Sequence, residues 1–542
     1  MNREALETAL MVAIIVGAKP VDETHVMRKI VIDGSTPFGF QRTAIVALNG
    51  EVKVDDKAVP IQTICVEEDA CRKIKDEGGI IHYRLDRLGI PLIEVVTGPV
   101  INSPEETEKV ALALGQILRA TGRVMRGLGT IRQDLNVSIR GGAIVEIKGV
   151  QELELVSKVV AYEVQRQQIL LEIRDKLKNR GVRAEELKGD VVDVTEVLRG
   201  TNSRVVRSAM EREGRAMVVV LPKFSGLLGI ELVPGLRFGT ELSDYAKFWG
   251  RVGGIFHSDE LPAYGITEEE VTRLKEYLKV AEGDAFVLVA DKKENALDAL
   301  KAAVERASRA IVGVPDETRG AYPDASSHYS RPRPGAARMY PETDVPPVQI
   351  TSERLEEVKS RLPDPPEVKL ARLMKDYGLN RKLAAQLLGS DYCNLFEAVA
   401  FRAKVAASFI AATLTETFKG LERAGVEVSA LPDSLIEGAF ELVDSGVVAK
   451  EAVPDVLAWM FKHEGARLDE AVEALGLKMI SERELEAIVE RVVSGNEALI
   501  KGCGMGALGP LMGVIMKELR GKVDARKVSQ LLEDKIREMA KA

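Results

Sequence analysis

The chain has 542 residues, of which 46% are hydrophobic and 29% are charged, and its net charge is −8. This length is too great for one hydrophobic core and favours roughly three or four domains. The acidic balance excludes a general polyanion-coating protein, so any nucleic-acid contact must come from local basic patches. Four scattered cysteines fit neither a disulfide framework nor a zinc site, which predicts a reduced cytoplasmic protein. No run approaches the ~18 continuous apolar residues of a membrane span, so we expect no membrane contact.

The first region, to about residue 168, predicts mixed α/β structure with antiparallel strands. Residues 5–16 predict a short buried helix, because the stretch includes Glu7 and lacks the basic flank of a signal peptide. Three β-branched runs, bounded by turns such as Asp33-Gly34, predict strands at residues 26–32, 43–48 and 61–66. Two helices should follow, one over residues 104–121 between the N-cap Ser103 and the stop at Gly122, and a longer one over residues 152–179.

The second region, residues 190–313, alternates strand and helix patterns. Strands are predicted at residues 216–221 and 285–290, and helices at residues 267–281 and 294–308. A proline- and arginine-rich segment follows at residues 330–344, which is compatible with either a linker or an ordered loop that lines a site. From Ser352 onward almost all of the sequence has helical periodicity.

Acidic residues are unusually frequent in the strand-like sequence between Glu67 and Lys148. Carboxylates on strands do not help a core to form, and they often meet a cation such as magnesium. Glu94 ends the apolar run Ile90-Pro91-Leu92-Ile93, which we expect to be buried, and a carboxylate at such a position needs a cation or several hydrogen-bond donors. Magnesium prefers one or two carboxylates together with phosphate and water. The scattered acids therefore predict a magnesium–nucleotide site.

A second acidic group depends on the register of one hairpin. Residues 132–138 alternate strictly, and the chain returns as residues 144–148 after Gly141-Gly142. A two-residue turn would mix polar and apolar faces, whereas a three-residue loop with a left-handed glycine pairs Asn136 with Glu146. The three-residue loop collects Asp134, Asn136, Glu146 and Lys148 on one polar face. Taken alone, such a face is also compatible with simple solvation.

Two patterns near the carboxyl terminus carry less information. The segment from Gly504 to Gly509 matches G-x-G-x-x-G, but helical sequence precedes it and Pro510 follows, so a dinucleotide-binding turn is excluded. No Walker A sequence occurs. A basic cluster is compatible with a solvated face or with contact to a phosphate backbone; it comprises Lys501, Lys517, Arg520, Lys522, Arg526 and Lys527.

Several of these segments together resemble the B/E (GatB/GatE) family of subunits of tRNA-dependent amidotransferases. The matching motifs lie at residues 27–29, 39–43, 67–69, 85–94, 127–138 and 146–149, and residues 506–513 resemble the tRNA-binding tail of that family. Residues 224–229 and 253–266 look like the insertion domain of bacterial-type aspartyl-tRNA synthetases. Within the family, this insertion and the motif at residues 338–344 are typical of the archaeal E type. An aspartyl-tRNA synthetase itself is excluded because its ATP-binding motifs are missing.

The resemblance implies the kinase and transamidase subunit of a glutamyl-tRNA(Gln) amidotransferase. Such a subunit uses ATP and Mg²⁺ to phosphorylate the glutamate side chain on tRNA(Gln), and ammonia from a glutaminase partner then displaces the phosphate. By carry-over, Glu68 and Glu94 would hold one magnesium, and Glu67 and Asp134 would serve a nearby metal–ATP site, with Arg87 beside the cofactor. The polar-face interpretation adds Glu146, Arg132 and Lys148, and the tail would bind tRNA through Lys501, Lys517, Arg520 and Lys522. The alternative is a scaffold subunit that binds tRNA without catalysis.

The resemblance also implies an α+β multidomain fold. We expect a catalytic cradle domain of mixed and antiparallel sheet at residues 1–186 and 315–350, and an inserted α/β domain at 187–314. A helical domain at 351–400 and a helical tRNA-binding tail at 401–542 should follow. Family members begin with a strand that carries a Glu-x-His motif, and nothing here resembles it, so the cradle is expected to be incomplete at its amino terminus. The expected partners are a D-type glutaminase subunit that resembles asparaginases and charged tRNA(Gln), in a heterotetramer containing a dimer of this subunit or of its partner.

Overall fold

A computed structural model describes residues 1–31, 36–77, 80–125, 127, 129–187, 189–333, 335, 338–519, 522–523 and 525–541. The described chain divides into two compact units. Unit 1 comprises Met1–Gly115 and Leu128–Leu362, and unit 2 comprises Gln116–Gly127 and Pro363–Ala542. The predicted turn at Asp33-Gly34 lies outside the described residues.

The described residues up to 179 form ten strands and three helices. They are α1 (Arg3–Ile15), β1 (Lys19–Pro20), β2 (Glu23–Thr24), β3 (Val26–Ile30), β4 (Phe40–Val54), β5 (Lys57–Glu68), β6 (Arg72–Glu77), β7 (Ile80–Arg84), β8 (Pro91–Thr97), α2 (Pro104–Ala120), β9 (Gln133–Val137), β10 (Val145–Val150) and α3 (Leu153–Asn179). The buried amino-terminal helix is confirmed, with Leu10 fully inaccessible. Ser103 caps α2 as predicted, because its Oγ accepts the backbone N–H of Glu106 at 3.1 Å.

The part of residues 191–359 that the structure describes adds ten strands and five helices. They are β11 (Val191–Asp193), α4 (Arg204–Glu211), β12 (Arg215–Leu221), β13 (Glu231–Val233), β14 (Leu236–Arg237), α5 (Phe238–Gly250), β15 (Phe256–His257), α6 (Glu268–Leu278), β16 (Ala285–Asp291), α7 (Lys293–Val312), β17 (Glu317–Ala321), β18 (Ser327–Pro332), β19 (Met339–Pro341), β20 (Val348–Gln349) and α8 (Ser352–Lys359). The predicted strands and helices of this region form at nearly the expected positions. The described part of residues 330–344 is ordered, since β19 pairs with β3.

Unit 2 is helical throughout its described residues, apart from loops and short helical turns. Its helices are α9 (Pro366–Asp376), α10 (Arg381–Leu388), α11 (Cys393–Arg402), α12 (Ala407–Ala412), α13 (Phe418–Arg423), α14 (Asp433–Asp444), α15 (Val453–Lys462), α16 (Leu468–Ala474), α17 (Glu482–Ser494), α18 (Glu497–Cys503), α19 (Leu508–Leu519) and α20 (Ala525–Lys541). One core runs from Leu373 to Leu457 and crosses the predicted boundary at residue 400, and a separate core spans Leu485 to Ile536.

Two sheets of unit 1 carry the predicted site residues. The first has the strand order β19-β3-β4-β5-β8, with β1 added on β4, and neighbouring strands are antiparallel. The second has the order β18-β17-β10-β9, in which only β10 and β17 are parallel. Strands β6 and β7 form a separate two-stranded hairpin in the connection between β5 and β8.

A third sheet, with the antiparallel order β11-β12-β16-β15, lies in the predicted inserted region. The core on one side of it includes Phe224 and Leu300, and also Leu170 and Leu177 from α3. The fold is therefore α+β, with largely antiparallel sheets and a helical carboxyl-terminal region, as predicted.

A fully buried ionic network joins α3, α5, α7 and β17. Arg166 donates to Glu163 at 2.8 Å, to Glu241 at 2.5 Å and to Glu317 at 2.8 Å. Two more buried arginines, Arg306 and Arg319, also contact Glu241. Burial raises the pKa of Glu241, but Arg166 and the other two arginines outweigh burial and hold that pKa well below its usual range. The network fixes these four elements to one another through charges that water does not screen.

One stretch of the described chain, Glu497–Leu519, is long and apolar enough to cross a membrane by length and composition alone. It is divided by a short 3₁₀ turn at Gly504–Ala507, and Ile500 and Ile515 are fully buried in the last helical core. Core helices of soluble proteins pass the same test, so a single such stretch is weak support for a membrane span. The expectation of no membrane contact stays a prediction.

Candidate functional site

The register of the first sheet places the consecutive residues Glu67 and Glu68 on opposite faces. Cα partners across antiparallel strands share a face, and successive residues alternate between faces. Glu67 lies opposite Thr43, and Glu94 lies opposite Cys65, two residues before Glu67. Glu67 and Glu94 therefore share one face, which we call the acid face, whereas Glu68 points to the other side of the sheet.

Two side chains from neighbouring strands hold Glu67 on the acid face. The Nζ atom of Lys29 lies 2.6 Å from Oε1 of Glu67, and the Nε2 atom of Gln41 lies 3.4 Å from Oε2. Lys29 and Gln41 are themselves Cα partners on β3 and β4. The Glu67 side chain is only 8% exposed, so the lysine supplies the partner that a buried carboxylate requires.

Glu94 connects this face with the second sheet. Glu94 is exposed to solvent, yet partial loss of water around its carboxylate is the largest cause that raises its pKa. The negative charges of Glu67 and Asp134 raise that pKa further, and Lys29 and Lys148 oppose the shift. Acids from both sheets thus lie close enough to repel one another electrostatically. The preceding run is half-buried rather than buried, with Leu92 and Ile93 partly accessible.

The polar face of the second sheet forms as predicted. Asn136 pairs with Glu146, and Gly141 in the connecting loop has a left-handed φ of 79°. The Nζ atom of Lys148 lies 2.7 Å from Oδ2 of Asp134 and 3.2 Å from Oε1 of Glu146. Burial alone would lower the pKa of Lys148, but the two carboxylates outweigh it and raise that pKa. Lys148 therefore stays charged among these acids.

Arg87 and Arg132 both lie at Asp69, the residue after the two glutamates. The Nε atom of Arg87 is 2.9 Å from Oδ2 of Asp69, and NH2 of Arg132 is 3.1 Å from Oδ1. The Asp69 side chain is only 7% exposed. Because Arg132 directly precedes β9, this carboxylate ties the end of β5 to the second sheet.

The opposite face of the first sheet holds Glu68 in a separate ionic cluster. NH1 of Arg42 lies 3.3 Å from Oε1 of Glu68, and Nε of Arg42 lies 2.7 Å from Oε2 of Glu342. Arg28 also binds Glu342, through Nε at 2.8 Å. The hydrogen bond from Arg28 is the main reason that the pKa of Glu342 lies well below its usual range. Glu68 thus faces arginines, away from Glu94.

The donor set on the acid face fits magnesium bound by few protein ligands. Within the described residues, no three His, Cys, Asp or Glu side chains approach closely enough to form a complete metal cage. Mg²⁺ usually keeps several waters and takes one or two carboxylates together with substrate phosphates. Loss of water and then the charges of Glu67 and Asp134 raise the pKa of Glu94, and a divalent cation bound there would oppose that shift.

The structure thus places Glu67 and Glu94 on one face of the first sheet and Asp134, Glu146 and Lys148 on the polar face of the second, near enough for the charges of Asp134 and Lys148 to act on Glu94. Arg87 and Arg132 both lie at Asp69. The structure does not bring Glu68 beside Glu94, and the metal roles of all these acids stay predictions. Sequence reasoning missed Lys29 and Gln41, although both lie in quoted family motifs, at residues 27–29 and 39–43. Period-2 alternation along β3 allows either face for Lys29, and only the long-range register selects one.

The predicted tRNA contacts of unit 2 lie on the last helices. Lys501 and Lys517 are exposed on α18 and α19, and Lys522 is partly exposed in the turn before α20. Arg520 lies outside the described residues. Lys501 is 3.4 Å from Glu497, which lowers its net contribution to a basic surface. These positions leave the tRNA role a prediction.

Comparison with known proteins agrees with this architecture. A family model described as the GatB/GatE catalytic domain matches residues 1–356, and one described as a GatB domain matches residues 394–536. The chain therefore belongs to the GatB/GatE family of amidotransferase subunits. Within that family, three similar relatives are named as the E-type subunit of glutamyl-tRNA(Gln) amidotransferase. They come from Aeropyrum pernix (50% identity, 99% of this chain and 85% of the relative), Thermococcus gammatolerans (48%, 99% and 85%) and Methanococcus maripaludis strain C7 (46%, 99% and 84%).

Proposed function

We propose that this chain is the subunit of a glutamyl-tRNA(Gln) amidotransferase that phosphorylates the glutamate on tRNA(Gln) and then exchanges the phosphate for ammonia. It is a ligase that uses ATP and takes its amide nitrogen from glutamine. The observation that carries the site assignment is the convergence of Glu67, Glu94 and Asp134 beside Lys29 and Lys148. That convergence occurs in a chain whose three relatives above carry the name of a component of this enzyme.

The reaction needs two displacements. An oxygen of the glutamate carboxylate attacks the γ-phosphorus of ATP, a P–O bond breaks and ADP leaves, which gives an acyl phosphate. Ammonia then attacks the acyl carbon, inorganic phosphate leaves, and the nitrogen loses a proton to give the amide. The first step brings an anionic nucleophile to an anionic triphosphate, so neutralising charge and holding the reactants in line are the main tasks of the protein.

The described residues suit those tasks. Glu94 and Glu67 would hold magnesium as its one or two protein carboxylates, with the charge of Asp134 close by, and the bound ion would neutralise charge between the triphosphate and the carboxylate. Lys29 holds Glu67 in place, and Lys148 does the same for Asp134 and Glu146. Glu68, which family resemblance pairs with Glu94, is a weaker candidate for the same ion because it points to the other face.

Several finer assignments rest on the resemblance. The third sheet with its helices would correspond to an insertion domain like that of bacterial-type aspartyl-tRNA synthetases, and the last helices to the tRNA-binding tail. The glutaminase partner would be a subunit that resembles asparaginases. A cytoplasmic location fits four cysteines that form no disulfide.

The competing interpretation is a scaffold that binds tRNA without catalysis, in which these acids serve the fold. The two differ in one measurement, the Mg²⁺-dependent transfer of the γ-phosphate of ATP to Glu-tRNA(Gln). The assay uses the full chain assembled with its glutaminase partner, and labelled phosphate is followed in acyl phosphate trapped by hydroxylamine.

Glu94→Gln should lower this transfer by about 10²-fold or more, in the range found when one charge-stabilising group is removed. The matched control is Glu51→Gln, an exposed glutamate on β4 of the same sheet. Full activity in the Glu94 variant would refute the site. No phosphate transfer by the wild-type complex would favour the scaffold.

A further inference from the structure

Strand β17 presents neighbouring side chains to two different systems. Its residues Glu317, Thr318 and Arg319 are all fully buried. Glu317 and Arg319 belong to the buried ionic network, in which Arg166 lies 2.8 Å from Glu317 and Arg319 lies 3.1 Å from Glu241 on α5. Because successive residues of a strand alternate between faces, Thr318 points to the other side of the sheet. The network therefore anchors the strand on one face and leaves Thr318 to the other.

The face to which Thr318 points is the polar face that carries Glu146 and Lys148. Strand β17 pairs with β10 in parallel, and Thr318 is the Cα partner of Glu146. The Oγ1 atom of Thr318 donates to Oε2 of Glu146 at 2.8 Å. The other oxygen of the same carboxylate, Oε1, lies 3.2 Å from Nζ of Lys148. Glu146 is thus held at both oxygens, by a hydroxyl from the neighbouring strand and by an ammonium from its own.

The acceptor distinguishes Thr318 from a threonine that only fills the core. Buried hydroxyls need a hydrogen-bond partner, and two other buried threonines donate to backbone carbonyls. Thr24 donates to the carbonyl of Ile45 at 2.7 Å, and Thr415 donates to that of Ala411 at 2.8 Å. Thr318 donates instead to a side-chain carboxylate, which makes a stronger kind of hydrogen bond. Its hydroxyl therefore controls the orientation of a group in the site.

Lys148 transmits this orientation to the acid face. Its Nζ lies 2.7 Å from Oδ2 of Asp134, and the charges of Asp134 and Lys148 both act on Glu94. If Glu146 turned away, Lys148 would keep only Asp134, and the side chains of that pair are 40% and 47% exposed. An exposed pair is weakly held on its own. The position of the ammonium relative to Glu94 thus depends on a hydroxyl that is itself fully buried.

We propose that Thr318 is a positioning residue of the phosphate-transfer site, whose hydroxyl orients Glu146 so that Glu146 holds Lys148 beside Asp134. This rests on the proposed function, because it assigns a role within the phosphate-transfer step. Thr318 suits the task because a β-branched side chain is restricted in its rotamers. Glu317 and Arg319, fixed in the network on either side of it, keep the strand from shifting its register.

The test measures kcat and KM for phosphate transfer by wild type, T318V and T318S. Each is assembled with the glutaminase partner, and acyl phosphate is trapped with hydroxylamine over a range of ATP and charged-tRNA concentrations. In T318V an oxygen of Glu146 meets a methyl group, so kcat should fall about tenfold or more, as when one hydrogen bond to a charged group is lost. The KM for charged tRNA should not change, because a fully buried side chain cannot touch RNA. T318S keeps the hydroxyl and should retain most of kcat.

The matched control is T24V. Thr24 is also buried, and its replacement removes a hydrogen bond to a backbone carbonyl outside the site. Its Tm should fall about as much as that of T318V, while its kcat stays at the wild-type value. A wild-type kcat in T318V would overturn the proposal. So would an equal loss in T318S, which would assign the role to packing of the methyl group, or in T24V, which would assign it to stability. T318A serves the same purpose if T318V does not assemble.

A measurement without turnover separates this proposal from the proposed function. Lys148 is acetylated in the metal-free complex with a small amine-reactive ester, and the modified peptide is quantified by mass spectrometry. Two carboxylates raise the pKa of Lys148, so loss of its contact with Glu146 should make it react severalfold faster in T318V, but not in T318S or T24V. Equal rates in T318V and wild type would overturn the positioning role even if phosphate transfer is observed. Faster reaction in T318V, with no transfer by wild type, would support the orientation of Lys148 and refute the proposed function.

Discussion

Replacing Glu94 by Gln should stabilise the metal-free protein while it removes most of its kinase activity. Glu94 experiences the negative charges of Glu67 and Asp134, and these add to burial in raising its pKa. Glutamine has almost the same shape, so the substitution removes the repulsion without leaving a cavity. If Glu94 served only the fold, its replacement would instead lower the free energy of unfolding.

The expected gain in stability is small. Glu94 is accessible to water, and Glu67 and Asp134 are each paired with a lysine, at 2.6 and 2.7 Å. Unfavourable contacts between exposed like charges cost a few tenths of a kcal/mol to about 1 kcal/mol, and the free energy of unfolding should rise by that amount. The loss of phosphate transfer should be far larger, about 10²-fold or more.

The dependence on pH gives a second signature. Because the pKa of Glu94 is raised in the folded state, the native protein binds more protons there than the unfolded chain does. The stability that this proton provides is fully present below the unfolded pKa of about 4.3, and it is lost as the pH rises through the folded pKa. The glutamine variant has no such loss. Its advantage over wild type should therefore grow through that interval and stay constant above it.

Thermal unfolding of the full chain measures the gain in stability, its dependence on pH and the response to Mg²⁺ and ATP. The melting temperatures of wild type, Glu94→Gln and the control Glu51→Gln are measured at a series of pH values from about 5 to 8. Each series is run first without metal and then with Mg²⁺ and ATP. The ligands should raise the Tm of wild type and of the control, since binding to the native state stabilises it, and should affect Glu94→Gln much less. A lower Tm for Glu94→Gln than for wild type without metal, or an equal response to Mg²⁺ and ATP, would contradict the reasoning.

Three shorter predictions follow from the same geometry. Glu67→Gln should reduce phosphate transfer by about 10²-fold, and Glu68→Gln should reduce it much less at saturating ATP. The hydroxylamine-trapping assay measures both. A larger loss for Glu68→Gln than for Glu67→Gln would place the metal on the face of the sheet that carries Glu68. Glu241→Gln should destabilise the protein by about 3–5 kcal/mol, because three buried arginines lose a shared carboxylate; a urea midpoint equal to that of wild type would contradict this. K517Q/K522Q should weaken tRNA binding and lower its salt slope by about 1.8, and an unchanged slope would assign these lysines to solvent.

Local features of the fold were predictable from the sequence because short-range rules control them. The capped helix after Ser103 and the pairing of Asn136 with Glu146 both depend on residues within a few positions of one another. In the hairpin of β9 and β10, strict alternation of polar and apolar residues allowed only one register that kept the apolar face intact. Asp134 and Glu146 could therefore be assigned to the same polar face from the sequence alone.

Contacts between distant segments were not predictable in this way. Lys29 meets Glu67 only because β3 and β5 both pair with β4 in a particular register, and shifting either strand by one residue would turn one of the two side chains to the other face. The same applies to Glu342, which reaches Arg28 and Arg42 across about three hundred residues of chain. A single sequence contains no signal that fixes such a register.

The run Glu67-Glu68-Asp69 shows why a string of acids is not one site. Alternation sends Glu67 to the acid face and Glu68 to the arginines of the opposite face, whereas Asp69, beyond the end of β5, ties that strand to the second sheet through Arg132. Three neighbouring carboxylates thus perform three separate tasks, and only Glu67 is adjacent to Glu94. Substitutions along this run should consequently differ in kind: loss of catalysis at Glu67, a milder change at Glu68, and a loss of contact between the sheets at Asp69.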